Sequence, residues 1–241
     1  MKRFFLAAAL LMSGSLAVLA QNPVKPYFST EQLPDLIKCL PAPPDTVGDQ
    51  FEYDIARYEW GKAQRADSAR AETARQDAVW TYRALLGTFA QAFGLSVTPE
   101  DTPEIWHLMQ RSLTTTDQMR VAPKAFYRRM RPFEHFDEHT LDPSEEAVLR
   151  GEGSYPSGHT MRGWVAAMLL AEINPAGADE IYARGWEYGE SRVIVGAHWQ
   201  SDVDASRIAA SIGFAALHTS PEFLLQMARA KSEFIQLSSQ L

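Results

Sequence analysis

From Val47 to the C-terminus the apolar residues of this chain return every three or four positions, and no stretch alternates in the two-residue rhythm of a half-buried strand. Phe51, Ile55 and Tyr58 make an apolar stripe that closes on the amphipathic Lys62. An Ala-rich stretch from Arg65 is read as helical to Phe93, with Val79, Leu86, Ala90 and Phe93 on one face and Gly94 as its stop. Thr102-Pro103-Glu104 is a helix start: a capping hydroxyl, a proline in the first turn and an acid at the positive dipole end. A short basic helix is expected from Lys124 to Arg131, ending before Pro132. Thr160 to Ile173, Asp202 to His218 and a last helix opened by Ser220-Pro221-Glu222 keep the same period. Prolines 23, 26, 34, 41, 43 and 44 deny regular helix to residues 21–46. With no internal repeat and no linker, the expected fold is all-α, a single-domain helical bundle over residues 21–241.

The first twenty residues are set apart. Lys2 and Arg3 precede an apolar run that ends in Val18-Leu19-Ala20, the pattern of a secretory signal cleaved before Gln21. Export to the periplasm, or secretion where there is no outer membrane, is therefore expected. No later apolar run reaches spanning length, so no membrane attachment is expected of the mature chain. The formal charge of −7 argues against a nucleic-acid partner, which needs Lys and Arg to neutralise phosphates. It leaves room for a small anion site where a few local cations outvote the total. Cys39 is the one cysteine, so no intramolecular disulfide can form.

Three polar constellations interrupt the helical rhythm. In Lys124-x6-Arg131-Pro132 the spacing is close to two helical turns, which would put both cations on one helix face about 10 Å apart. Arg128 would share that face and Arg129 would not. Alone, such a run is more often a solvated basic helix. Gly153-Ser154-Tyr155-Pro156-Ser157-Gly158-His159-Thr160 leads into an apolar-faced helix. Unpaired N–H groups at a helix start favour an anion; Gly158 allows close backbone approach, Ser157 adds a hydroxyl and His159 a titratable ring. Alone, it reads equally well as a turn and cap. In Ser191-Arg192-x5-His198-x3-Asp202, Asp202 follows His198 at one helical turn. Its carboxylate can hold Nδ1–H and leave the Nε2 lone pair free, while Arg192 offers a planar fork suited to phosphate. A surface His–Asp pair is the plain alternative. Together the three supply cations, an anion cradle, a nucleophile and a proton donor, the parts phosphoryl transfer requires.

The order and intervals of these motifs, 23 residues between Pro132 and Pro156 and 31 between His159 and Ser191, resemble the tripartite signature of the type 2 phosphatidic acid phosphatase superfamily. The octet Gly153 to Thr160 is similar to that of the bacterial class A non-specific acid phosphatases. The stretch from Leu40 to Pro44, with Phe51, Asp54, Tyr58 and Gly61 after it, looks like their N-terminal region, although Ala42 interrupts the prolines. The resemblance implies a helical bundle that hydrolyses phosphate monoesters of broad range, nucleotides among them, with transfer to alcohols as a side activity. It makes His198 the nucleophile that becomes phosphorylated, Asp202 its orienter and His159 the acid and then the base. Lys124, Arg131, Arg192, Ser157 and Gly158 would hold the phosphoryl oxygens. It implies a small phosphomonoester as substrate and homodimers or larger assemblies; no metal and no cofactor are expected, because Lys124, Arg131 and Arg192 already supply the positive charge a metal would bring.

Two rival functions differ in class. Vanadium-dependent haloperoxidases resemble the same superfamily, and halide oxidation with vanadate and peroxide would identify one. A phosphate-binding protein without turnover would need donors only, and enzyme-proportional release of phosphate from p-nitrophenyl phosphate separates it. His135 and His139 are candidates for the site entrance, while His107 and His218 sit among helical core positions and read as structural. Trp164 and Trp199 read as packing groups rather than a base-stacking platform.

Overall fold

The computed structural model describes residues 24–240. The expected signal over residues 1–20, with its cleavage point before Gln21, lies outside the described residues. Among these the chain forms helices and no strand: α1 (Leu36–Cys39), α2 (Asp49–Gln64), α3 (Ser68–Gln76), α4 (Tyr82–Gly87), α5 (Ala90–Phe93), α6 (Pro103–Asp117), α7 (Val121–Tyr127), α8 (Pro132–His135), α9 (Glu146–Leu149), α10 (Gly158–Ile173), α11 (Ala178–Val195), α12 (Gln200–Leu217) and α13 (Pro221–Ser238). The all-α bundle expected from periodicity is the fold observed.

Helix α10 is its axis. Twelve of its 16 residues are buried, because it is apolar on nearly every side and α6, α11, α12 and α13 surround it. Whatever precedes α10 is thereby fixed relative to the core, and what precedes it is the Ser157-Gly158-His159 segment. Helix α11 carries Arg192 and lies against α10 at close range: a Cβ on Gly185 would stand 2.6 Å from the Ala167 methyl. Two glycines in its interior weaken the helical pattern in the sequence while permitting this approach.

The Arg65–Phe93 stretch is not one helix. It breaks into α3, α4 and α5, and Val79 is 48% exposed instead of facing the core. The break has two causes. The carboxylate of Asp77, fully buried at the end of α3, accepts a hydrogen bond from Ser191 Oγ at 2.6 Å and is paired with Arg184. Thr81 then caps α4, its Oγ1 accepting from the Ala84 N–H. Gly94 ends α5 in the left-handed conformation, φ 87°, as its position suggested. Helix α6 does begin at Pro103, but the Thr102 hydroxyl turns back to the Thr98 carbonyl. Glu233 of α13 caps the helix in its place, accepting from the Glu104 and Ile105 N–H groups at 3.2 and 2.9 Å.

Candidate active site

Lys124 stands in the last turn of α7 and Arg131 is the N-cap of α8, so the single basic helix expected over residues 124–131 does not exist. Arg128 leaves the helix at φ 45°, and the chain reaches Arg131 in extended backbone because Pro132 bars the helical region to the residue before it. The two cations converge through this turn, not by sharing a helix face. Lys124 Nζ donates to the Gly153 carbonyl at 2.5 Å. Arg131 donates from Nε to the Leu149 carbonyl (2.8 Å) and from Nη1 to the Ala197 carbonyl (2.9 Å).

His198 is buried, and its tautomer follows from its neighbours. Arg131 Nη1 lies 3.1 Å from Nε2. A guanidinium can only donate, so Nε2 holds the lone pair and Nδ1 holds the proton. Nδ1 faces Asp202 Oδ2 at 3.3 Å. The pair forms at a helix start, not along a helix: His198 precedes the N-cap Trp199, and Asp202 is the third residue of α12, where its Oδ2 also accepts the Trp199 N–H at 2.9 Å. A capping carboxylate thus doubles as the orienter of the histidine.

His159 is held differently. Its Nε2 lies 2.9 Å from the Ala78 carbonyl, so Nε2 carries hydrogen and Nδ1 is left for chemistry. Ala78 directly follows Asp77, the carboxylate that breaks the Ala-rich stretch, and Asp77 is held by Ser191 of the third motif. The serine of that motif therefore helps to set the ring of the second. Ser157 caps α10, its Oγ accepting from the Thr160 N–H (3.3 Å) and hydroxyl (3.0 Å), which leaves its own proton to donate. Its backbone N–H reaches the Asp202 carbonyl at 3.4 Å and ties the second motif to the third.

Buried positive charge dominates the electrostatics. Burial, reinforced by the Arg131 cation, pushes Lys124 down to about 7. Burial and the neighbouring Arg192 bring Arg131 down to about 10, against the pull of Asp202. Arg192 is also lowered by burial, and its Nε and Nη1 find no acceptor among the described residues. Both histidines lie well below the usual imidazole value, His198 through burial and the Arg131, Lys124 and Arg192 cations, His159 through burial and Arg192. Lys124, Arg131 and Arg192 thus set three buried basic groups around a neutral, oriented imidazole, an arrangement suited to binding an anion.

Lys124, Arg131, Ser157, Gly158, His159, Arg192, His198 and Asp202 are thus brought to one end of α10. His135 packs edge-on against Phe51, Phe136 and Trp199, and His139 meets the Glu146 carboxylate at 3.2 Å. His107 is exposed on α6, contrary to its core assignment, whereas His218 bridges the Phe214 carbonyl and Glu172 as a structural group. Trp199 is buried, with its Nε1–H on the Met130 carbonyl. No group of three or more His, Cys, Asp or Glu side chains among the described residues is arranged to hold a metal.

Periodicity missed Arg129. It donates to Asp202 Oδ1 (2.5 Å), Ser201 Oγ (2.7 Å) and Asp54 Oδ2 (2.7 Å). Asp54 is buried on α2 together with Phe51, Tyr58 and Gly61, and it also accepts the Ser201 N–H at 2.8 Å. The chain Asp54–Arg129–Asp202–His198 therefore runs from α2 to the nucleophile candidate. A signal was present: before a proline the backbone is extended, and there residues two apart share a side, which pairs Arg131 with Arg129 and not with Arg128.

Comparison with known proteins agrees with this geometry. The PAP2 superfamily model matches residues 111–224, which hold all three motifs. The chain is 42% identical over 212 residues to a non-specific acid phosphatase of Providencia stuartii, covering 88% of this chain and 85% of that one. It is 40% identical over 211 residues to a non-specific acid phosphatase of Salmonella typhimurium, covering 87% and 84%. It is 36% identical over 192 residues to an acid phosphatase of Zymomonas mobilis, covering 80% and 73%. The chain belongs to the PAP2 superfamily, among the bacterial non-specific acid phosphatases.

Proposed function

We propose that the protein is an acid phosphatase that hydrolyses phosphate monoesters through a phosphohistidine on His198. The observation that carries this is the trio of buried cations around an imidazole whose Nε2 lone pair is fixed from both sides, by Asp202 at Nδ1 and by Arg131 at Nε2. On binding, the phosphoryl oxygens take the donors of Lys124, Arg131 and Arg192, the Ser157 hydroxyl and the Gly158 N–H. Arg131 moves its Nη1 bond from Nε2 to an oxygen and frees the lone pair. Nε2 then attacks phosphorus, the P–O ester bond breaks, and His159 gives its Nδ1 proton to the departing alkoxide. In the second half a water surrenders its proton to His159 Nδ1 and attacks phosphorus. The N–P bond breaks and its electron pair returns to Nε2.

The cations supply the positive charge that a metal brings elsewhere, so no metal is required. Broad specificity, nucleotides included, transfer to alcohols and homo-oligomers are supported by the family resemblance alone, and export by the signal pattern of residues 1–20. Sedimentation of the purified protein and mass spectrometry of its N-terminus, expected at Gln21, test the last two. No single described helix is long and apolar enough to cross a membrane.

The test of function is an initial-rate panel of monoesters, diesters and nucleotides with and without chelator. Monoesters should turn over at acid pH, chelation should change the rate less than about twofold, and vanadate should inhibit as a mimic of five-coordinate phosphorus. Chelation that abolishes activity, restored by one divalent ion, overturns the metal-free mechanism; absence of turnover of every ester overturns the function.

A further inference from the structure

Glu152 takes no part in the chemistry above, yet its carboxylate sits among the cations. Oε2 is 3.6 Å from Lys124 Nζ and 4.0 Å from Arg131 Nη2, and Oε1 is 3.3 Å from Arg120 Nη1. Lys124 and Glu152 also line a cavity of about 670 Å³, together with Arg120, Arg128, Arg150 and Gly153. Neither His159 nor His198 is among its lining residues, so Lys124 and Glu152 belong both to this outer cavity and to the cation cluster behind it.

None of the three cations needs the Glu152 side chain to stay in place. Lys124 is held by the Gly153 carbonyl. Arg131 is held by the Leu149 and Ala197 carbonyls and by the Glu152 backbone carbonyl at 3.2 Å, which any residue at 152 would supply. Arg120 is held by Asp117, at 2.8 Å from Nε and 3.3 Å from Nη2. The carboxylate thus contributes charge and not architecture. Burial would raise its pKa, but Lys124 and Arg120 outweigh that and keep it low, so it is ionised in the free protein. Its side chain is about half exposed (49%), so it can swing outward into solvent.

We propose that Glu152 is an internal competitor for the phosphate site: its carboxylate occupies the approach to Lys124 and Arg131 in the free enzyme, and an incoming phosphate must displace it. The inference rests on the assignment of Lys124 and Arg131 to the phosphoryl oxygens. Apparent affinity for a ligand is the intrinsic affinity scaled by the fraction of molecules able to receive it. If the carboxylate is in place in about nine molecules in ten, it weakens phosphate about tenfold. The enzyme gains release of its inorganic product at the expense of a higher KM.

The test is Glu152→Gln in the full mature protein, with inorganic phosphate as the probe. Titration calorimetry and inhibition of p-nitrophenyl phosphate hydrolysis should both show phosphate binding about five- to tenfold tighter, with KM lowered in step. Glu152→Asp, which keeps the charge on a shorter stem, should fall between the two. Phosphate bound equally by the parent and E152Q overturns the competitor role and leaves the cation assignment standing. Weaker phosphate binding in E152Q also overturns it and makes Glu152 a support for Lys124. If neither protein binds phosphate, the cation assignment fails and the competitor role with it.

Discussion

His198→Ala is expected to lower turnover of every phosphate monoester by about 10⁴-fold or more and to remove the acid-labile, base-stable phosphoenzyme that a quenched reaction should trap on the parent protein. The loss should not depend on the leaving group, because the bond that fails to form precedes its departure. Asp202→Asn is the companion test, and its environment makes the outcome specific. Oδ1 of Asp202 accepts from Arg129, while Oδ2 accepts from the Trp199 N–H and His198 Nδ1–H. Whichever way an amide is turned, its NH₂ meets a donor. If it faces His198 it favours the wrong tautomer, and if it faces Arg129 it leaves a buried guanidinium short of an acceptor. Activity should fall about 10²–10⁴-fold, and stability by about 1–3 kcal/mol, read from the urea midpoint. Unchanged activity in Asp202→Asn would detach Asp202 from His198, and phosphate trapped elsewhere than on His198 would reassign the nucleophile.

What could be read from the sequence, and what could not, divides along a physical line. Helices α10, α12 and α13 announce themselves because each buries apolar residues that must recur with the helix. His198 and Asp202 can be paired from spacing because they are only four positions apart, although they meet across a helix N-cap and not along one helical turn. Arg131 and Arg129 could not be placed by the same logic, since the chain between Lys124 and Pro132 abandons the helix at Arg128, a non-glycine residue in the left-handed region that no local pattern marks. Asp77 was invisible for another reason. Its partners Arg184 and Ser191 are more than 100 residues away, and only the packing of α3 on α11 turns an ordinary surface-type carboxylate into the anchor that aims His159. Glu152 reads as one acid in a glycine-rich loop until three cations from two other segments are seen around it.

His159→Ala should separate the two halves of the reaction. With p-nitrophenyl phosphate the leaving group departs with little protonation, so phosphorylation of His198 should survive, whereas attack of water on the phosphohistidine loses its base. The variant should therefore release a stoichiometric burst of p-nitrophenolate followed by a slow steady state, with phosphoenzyme accumulating. With alkyl phosphates the acid is missing from the first step, and turnover should fall about 10²–10⁴-fold with no burst. The pH dependence of the parent enzyme follows from the same ring. Burial and the Arg192 cation hold His159 well below 6.5 in the free site, and its Nδ1 must be protonated to serve as the acid, so kcat/KM should decline as pH rises through an acidic value. His198 must be unprotonated to attack, and burial with the Arg131, Lys124 and Arg192 cations lowers its value too, so the opposing limb also lies on the acid side of the usual imidazole range. A bound phosphate dianion offsets the Arg192 charge and raises His159, which places the descending limb of kcat at higher pH than that of kcat/KM. In the parent this descending limb should be deep for alkyl phosphates and shallow for p-nitrophenyl phosphate, whose leaving group needs little protonation. Equal losses in His159→Ala for aryl and alkyl esters without a burst, or a descending limb equally deep for both kinds of ester in the parent, would remove His159 from the proton transfers and give the role to another group.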